Sequence, residues 1–205
     1  MSYPIMLDMT NKQAVVVGGG KVAERKIRGL KEANANVVVV APEITEYIQQ
    51  LADEGALVWR KKYFSPDDVE DAFLIIAATN NREVNKAVAQ AAQPYQLINV
   101  VDTSAQSNFY VPSIVRRGKL TIAVSTEGAS PTLAKKISRE IAEMYDEDYG
   151  NYIDFLYECR QYILQNVGDS HKKQQLLQAI TDEEFRKGAN WEKEFQKLFE
   201  QVMGE

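Results

Sequence analysis

Apolar and polar positions alternate between two grammars along this chain. Short, predominantly apolar runs occur at 13–17 (QAVVV), 36–41 (NVVVVA), 57–60 (LVWR), 73–79 (FLIIAAT) and 97–101 (LINVV). Each is too short for a helix and lacks a polar face, so each predicts a strand buried on both sides. Between them, 20–33 (GKVAERKIRGLKEA), EITEYIQQLADEG and NREVNKAVAQAAQ carry apolar residues at helical spacing, and a short acidic stretch occupies 66–71. Strands alternating with helices predict an α/β, Rossmann-type domain with a parallel sheet over about 1–112.

Beyond Asp102 the pattern changes. FYVPSIVRRGKLTIAVST predicts two strands around a tight Arg-Gly-Lys turn. Ser130 then reads as a helix cap and Pro131 as the first helical residue. The remainder is helical, with Thr181 and Glu184 spaced as a capping box, Gly188 as a stop and Asn190 as the next cap. The expected organisation is a dinucleotide domain at 1–112, a small α+β segment at 113–148 and a helical domain at 149–205. Tyr145, Tyr149, Tyr152, Phe155 and Leu156 recur at helical spacing, as do Trp191, Phe195, Leu198, Phe199 and Val202; both sets are read as packing stripes.

Composition narrows the function classes. No run approaches eighteen apolar residues, so no membrane span is expected, and MSYPIMLDMTNKQ lacks the basic start of a leader; a cytoplasmic protein is predicted. Cys159 is the sole cysteine and His171, read as lying in a polar linker, the sole histidine, so neither a disulfide framework nor a metal site is expected. The net charge of −5 conceals a basic island of net +4 over 113–140 and an acidic tail of net −7 over 141–205. That island suits either an anionic ligand or a solvated face. Nothing in the charge pattern calls for nucleic acid.

Chemistry concentrates first at Gly18, Gly20 and Ala23, a G-x-G-x-x-A turn between strand and helix. Gly18 permits the turn, Gly20 lets a pyrophosphate approach, and backbone N–H groups near Lys21 and Val22 face it. A ribose-binding acid is expected near the end of the second strand, where Pro42 and Glu43 lie, although Glu43 could instead begin a helix. No Lys or Arg falls between Lys31 and Arg60, which favours NAD over NADP. Thr79 and Asn80 end the fourth apolar run, with Asn80 or Asn81 equally suited to cap a helix. Asp102 follows the fifth, where a ligand crevice opens in such sheets; a simple turn residue is the alternative.

The stretches VVGGGKVAERK, AATNNREVN, NVVD and FYVPSIVRRGKLTIAVSTEGASPTLAKKI resemble the precorrin-2 dehydrogenase (siroheme synthase N-terminal) family from about residue 3 to 145. The resemblance implies oxidation of precorrin-2 to sirohydrochlorin with NAD, and in some members iron insertion as well. It implies that Lys21 and Val22 contact the pyrophosphate, that Pro42 and Glu43 contact the cofactor, and that Asp102 serves catalysis. Ser130 corresponds to a serine phosphorylated in some members, and a homodimer is implied through 113–145. Arg116, Arg117, Lys119 and Lys135, with Ser130, form the candidate set for the carboxylate-rich tetrapyrrole. Alternatives are a bifunctional dehydrogenase and ferrochelatase, or a non-catalytic NAD or tetrapyrrole sensor.

Overall fold

The computed structural model describes residues 2–188 and 190–204, which fall into two compact units, 2–111 and 112–204. The first is built on β1 (Gln13–Val17), β2 (Asn36–Val40), β3 (Val58–Arg60), β4 (Leu74–Ala77) and β5 (Leu97–Val100). All pair in parallel in the order β3-β2-β1-β4-β5. Helices α1 (Lys21–Glu32), α2 (Glu46–Asp53) and α3 (Arg82–Ala91) supply crossovers, and a 3-10 turn at Pro66–Val69 joins β3 to β4.

The apolar runs are explained by the two faces they serve. Along β1, Ala14 and Val16 pack with Ala23, Ile27 and Leu30 of α1 and Ile48 of α2. Val15 and Val17 point the other way, into a cluster with Val69 and with Val88 of α3. Val15, Val16 and Val39 are fully buried, and each contributes about 1.5–3 kcal/mol relative to an exposed side chain. Because β1 is followed by a crossover to β2 on one side while β4 lies on its other side, the strand order reverses between β1 and β4. Their carboxyl ends therefore part around a crevice.

The second unit holds an antiparallel hairpin of β6 (Ser113–Arg117) and β7 (Leu120–Val124), followed by α4 (Pro131–Met144), α5 (Asp148–Asn166), α6 (Ser170–Ala179), α7 (Glu183–Arg186) and α8 (Trp191–Gly204). The first strand starts later than FYVPS suggested, because Phe109 is held beside β5 by a hydrogen bond from Asn99 to its carbonyl (3.1 Å). Gly118 turns the hairpin at φ +54°. Its tip meets α5 so closely that a Cβ on Gly118 would lie 3.1 Å from the Gly150 carbonyl oxygen, and one on Gly150 would lie 3.0 Å from the Gly118 nitrogen.

The aromatic stripes pack as expected. Trp191 lies against Tyr152 and Phe155, and Phe195 and Phe199 join Tyr162 over a core of Cys159, Ile163, Leu176 and Val202. Burial pushes the Cys159 thiol up to about 12, so it stays protonated. Two local expectations change. Thr181 donates to the Gln178 carbonyl (2.7 Å) and Asp182 occupies the cap of α7, so the Thr181–Glu184 box does not form. His171 sits within α6, capped by Asp169 (2.8 Å to the Lys172 nitrogen), rather than in a linker. Asn190 does cap α8, its carboxamide oxygen accepting from the Lys193 nitrogen at 2.9 Å.

Candidate functional site

Three glycines leave β1, and each meets a different constraint. Gly18 adopts φ +121°, and a Cβ there would fall 2.3 Å from the Ala78 carbonyl oxygen. Gly19 lies under the turn after β2, where a Cβ would fall 2.1 Å from the Glu43 carbonyl oxygen; its own carbonyl accepts from the Thr45 nitrogen (3.0 Å). Gly20 caps α1 with no side-chain hydrogen bond, and a Cβ there would meet nothing within 4 Å. The first N–H groups of α1, at Lys21 and Val22, thus lack the side-chain partner that a Ser or Asp cap would bring.

The neighbouring turns complete this edge of the sheet. Glu43 is exposed and lies outside α2, whose cap is Thr45, so it does not begin that helix. After β4, the backbone and hydroxyl of Thr79 both bind the Asn85 carboxamide oxygen (3.1 and 2.8 Å), and the Asn85 amide returns to the Thr79 carbonyl (3.1 Å). Asn81 caps α3 by accepting from Glu83 and Val84 (2.9 and 3.3 Å), while Asn80 stays exposed at the crevice. Asp102 follows β5 in a tight turn, exposed, its carboxylate accepting from the Thr103 hydroxyl at 3.3 Å. The return of that loop is fixed by Ser107, which accepts from the Val100 nitrogen (2.9 Å), and by Asn108, which bridges Ile98 and Gln96 (2.8 and 2.7 Å).

Sequence reasoning passed over Gly19, Asn85 and Glu24. Glu24 is buried one turn into α1 and takes both Lys21 (3.2 Å) and Arg28 (2.9 Å). Hydrogen bonds from Arg28, then from Thr45, outweigh burial and hold its carboxyl down at about 2. An acid one turn into α1 could have been noted, but its partners are set by the tertiary fold.

The basic island lies wholly in the second unit, and its members divide. Arg117 donates to the carbonyls of Tyr145 (2.8 Å) and Ala142 (3.2 Å) and pairs with Glu147 (3.3 Å), so it closes the end of α4. Lys119 pairs with Asp154 on α5, which raises its pKa, and lies over the Tyr157 ring. Both candidate ligand residues thus also have partners within this unit. Ser130 caps α4, accepting from the Leu133 nitrogen at 3.2 Å. Arg116, Arg117, Lys135 and Arg139 line an open groove of about 400 Å³ between β6 and α4, with Ser138 on its wall. Among the described residues, no group of three His, Cys, Asp or Glu side chains stands ready to hold a metal ion, and no helix is long and apolar enough to cross a membrane.

A parallel sheet whose first turn opens an uncapped helix beside a crevice defines a dinucleotide-binding domain of Rossmann type. Comparison with known proteins is specific. Family models described as "Putative NAD(P)-binding", "Sirohaem biosynthesis protein central" and "SirC C-terminal domain" match residues 5–113, 117–144 and 149–195. A precorrin-2 dehydrogenase of Priestia megaterium is 36% identical over 97% of this chain and 98% of its own, and one of Bacillus subtilis is 37% identical over 77% and 98%. The solved structure of "SirC, precorrin-2 dehydrogenase" covers both chains fully at 35% identity, with a TM-score of 0.86. This chain belongs to the precorrin-2 dehydrogenase family, as an oxidoreductase with a nicotinamide cofactor.

Proposed function

We propose that this protein oxidises precorrin-2 to sirohydrochlorin with NAD as the hydride acceptor, on the route to siroheme. The observation that carries the reading is the placement of Asp102 at the carboxyl end of β5, on the edge where the glycine turn also opens. The residues fit a dinucleotide: Gly20 leaves open space where a side chain would stand, and the N–H groups of Lys21 and Val22 are set to receive a pyrophosphate. Pro42 and Glu43 bound the ribose side, and Thr79 and Asn80 the opposite wall. When bound, the nicotinamide accepts a hydride from the macrocycle.

The remaining change is loss of one proton, and Asp102 is the group we assign to it. Its carboxylate accepts that proton, and the Thr103 hydroxyl orients it. Arg116 and Lys135 are the assigned partners of the substrate's carboxylates, joined by Arg139, which lines the same groove. Ser130 accepts with its hydroxyl oxygen in the cap of α4, and its hydroxyl proton is the part suited to a substrate carboxylate. We place the protein in the cytoplasm and propose that it works as a homodimer through 113–145, where the hairpin leaves unpaired strand edges.

The test is an anaerobic assay of purified protein with precorrin-2 and NAD, following dinucleotide reduction and then adding ferrous iron. Stoichiometric reduction with formation of sirohydrochlorin supports the dehydrogenase. No reduction beside unimpaired NAD or tetrapyrrole binding favours the sensor, and iron insertion lost together with reduction in Asp102→Asn favours the bifunctional enzyme.

A further inference from the structure

Absence of Lys and Arg between 31 and 60 does not empty the end of β2 of cations, because the strand order supplies them from both sides. β2 lies between β1 and β3, so its end is flanked by the start of α1 and by the residues that follow β3. On the β3 side, the Ala41 nitrogen donates to the Arg60 carbonyl (3.3 Å) and the Trp59 indole donates to the Ala41 carbonyl (2.9 Å). Arg60 and Lys62 therefore sit beside the place where β2 ends. On the α1 side, the Thr45 nitrogen donates to the Gly19 carbonyl (3.0 Å), and the Arg28 guanidinium lies 3.5 Å over the ring of Tyr47. That face of α1, carrying Lys21, Glu24 and Arg28, thus looks toward the turn after β2.

Each flank pairs its two cations with one acid. Glu24 takes Lys21 at 3.2 Å and Arg28 at 2.9 Å, with its side chain 10% exposed. Asp68 takes Arg60 at 3.1 Å and Lys62 at 3.0 Å, with its side chain 3% exposed, and Ser65 fixes it further through its nitrogen (2.9 Å). A 2′-phosphate on the adenosine ribose, a group of charge near −2, would need such cations free to turn toward it. Here they are held on carboxylates that are themselves anchored to the fold.

We propose that Glu24 is a specificity-determining residue, seconded by Asp68: by holding Lys21 and Arg28 it denies a 2′-phosphate its partners and keeps the site for the unphosphorylated dinucleotide. The inference rests on the NAD reading above. Glu24→Gln preserves the shape and the acceptor oxygen, removes one negative charge, and releases Lys21. Lys21 also serves the pyrophosphate common to both dinucleotides, so the informative quantity is the ratio of the two affinities.

The experiment titrates NAD and NADP separately into wild-type protein, Glu24→Gln, Asp68→Asn and the double variant Lys21→Met/Glu24→Gln, by calorimetry without tetrapyrrole. Thermal melting runs in parallel. The expected result is a wild-type preference for NAD that narrows about fivefold or more in Glu24→Gln, the effect of one added charge on a dianion through partly aqueous surroundings. The narrowing should be lost again in the double variant. A wild-type preference carried unchanged into Glu24→Gln overturns the inference and leaves the NAD reading standing. Equal binding of both dinucleotides by wild type overturns both. Should Glu24→Gln fail to melt cooperatively, Asp68→Asn makes the same measurement from the β3 side, and an unchanged ratio there overturns the inference.

Discussion

Adjacent glycines at 18–20 should respond to substitution in opposite ways, and the contrast between Gly19 and Gly20 is the sharper one. A Cβ on Gly19 would stand 2.1 Å from the Glu43 carbonyl oxygen and 2.8–2.9 Å from Ile44, so backbone must move apart where the two turns are bonded. Overpacking of this kind costs about 3 kcal/mol, which for a chain of this size corresponds to a fall of about 6–12 °C in melting temperature. A Cβ on Gly20 meets nothing within 4 Å, and Gly20 has ordinary angles of φ −84° and ψ −174°. Gly20→Val caps less well, a cost of about 1 kcal/mol partly offset by the reduced freedom of the unfolded chain. Its side chain nevertheless fills the approach to the first N–H groups of α1, so NAD affinity should fall at least tenfold, or about 1.4 kcal/mol. Differential scanning fluorimetry with and without NAD reads both effects. Gly19→Ala melting like wild type, or Gly20→Val retaining full affinity, would refute the division between a packing glycine and a binding glycine.

Asp102→Asn should leave melting and NAD binding unchanged while turnover of precorrin-2 falls about a hundredfold or more, the scale of a lost general base; near-normal turnover makes Asp102 a turn residue. Glu24 titrates at about 2 in the folded protein against 4.5 in the unfolded chain, so the folded state binds fewer protons between those values. Its contribution is complete above pH 4.5 and is lost as pH falls toward 2; acid denaturation of Glu24→Gln should accordingly be less steep over that window. Sedimentation at micromolar concentration should give a dimer, and a monomer alone would contradict the assembly proposed for 113–145.

How far the sequence led depended on the range of the forces involved. Runs such as QAVVV and LINVV announce strands because a parallel sheet covered on both faces favours apolar residues at nearly every position. Gly18 and Gly20 were legible because a turn and an open helix start are local demands. Gly19 was not, because its constraint comes from the carbonyl of Glu43, brought over it by the β1–β2 pairing. Charge spacing likewise located the basic island but missed how it divides. Arg117 is committed to the end of α4 and Lys119 to Asp154, both through contacts between distant elements. The same limit applies to NADP exclusion: a gap in basic residues along the chain is not a gap in space, since β3 sets Arg60 beside Ala41.

The meeting of Gly118 and Gly150 bears on how such a protein can be recombined. Separate family models cover 117–144 and 149–195, which invites treating the hairpin segment and the terminal helices as interchangeable cassettes. Yet one glycine belongs to each, and the backbones meet where even a methyl group on either side would be crowded. A graft of foreign helices onto this hairpin inherits that junction, and a donor with a side chain at the position of Gly150 would require the hairpin tip to give by a few tenths of an ångström. The seam between the two segments is therefore closed in space although it is open in sequence, and a chimera leaves it undisturbed by carrying both glycines across together.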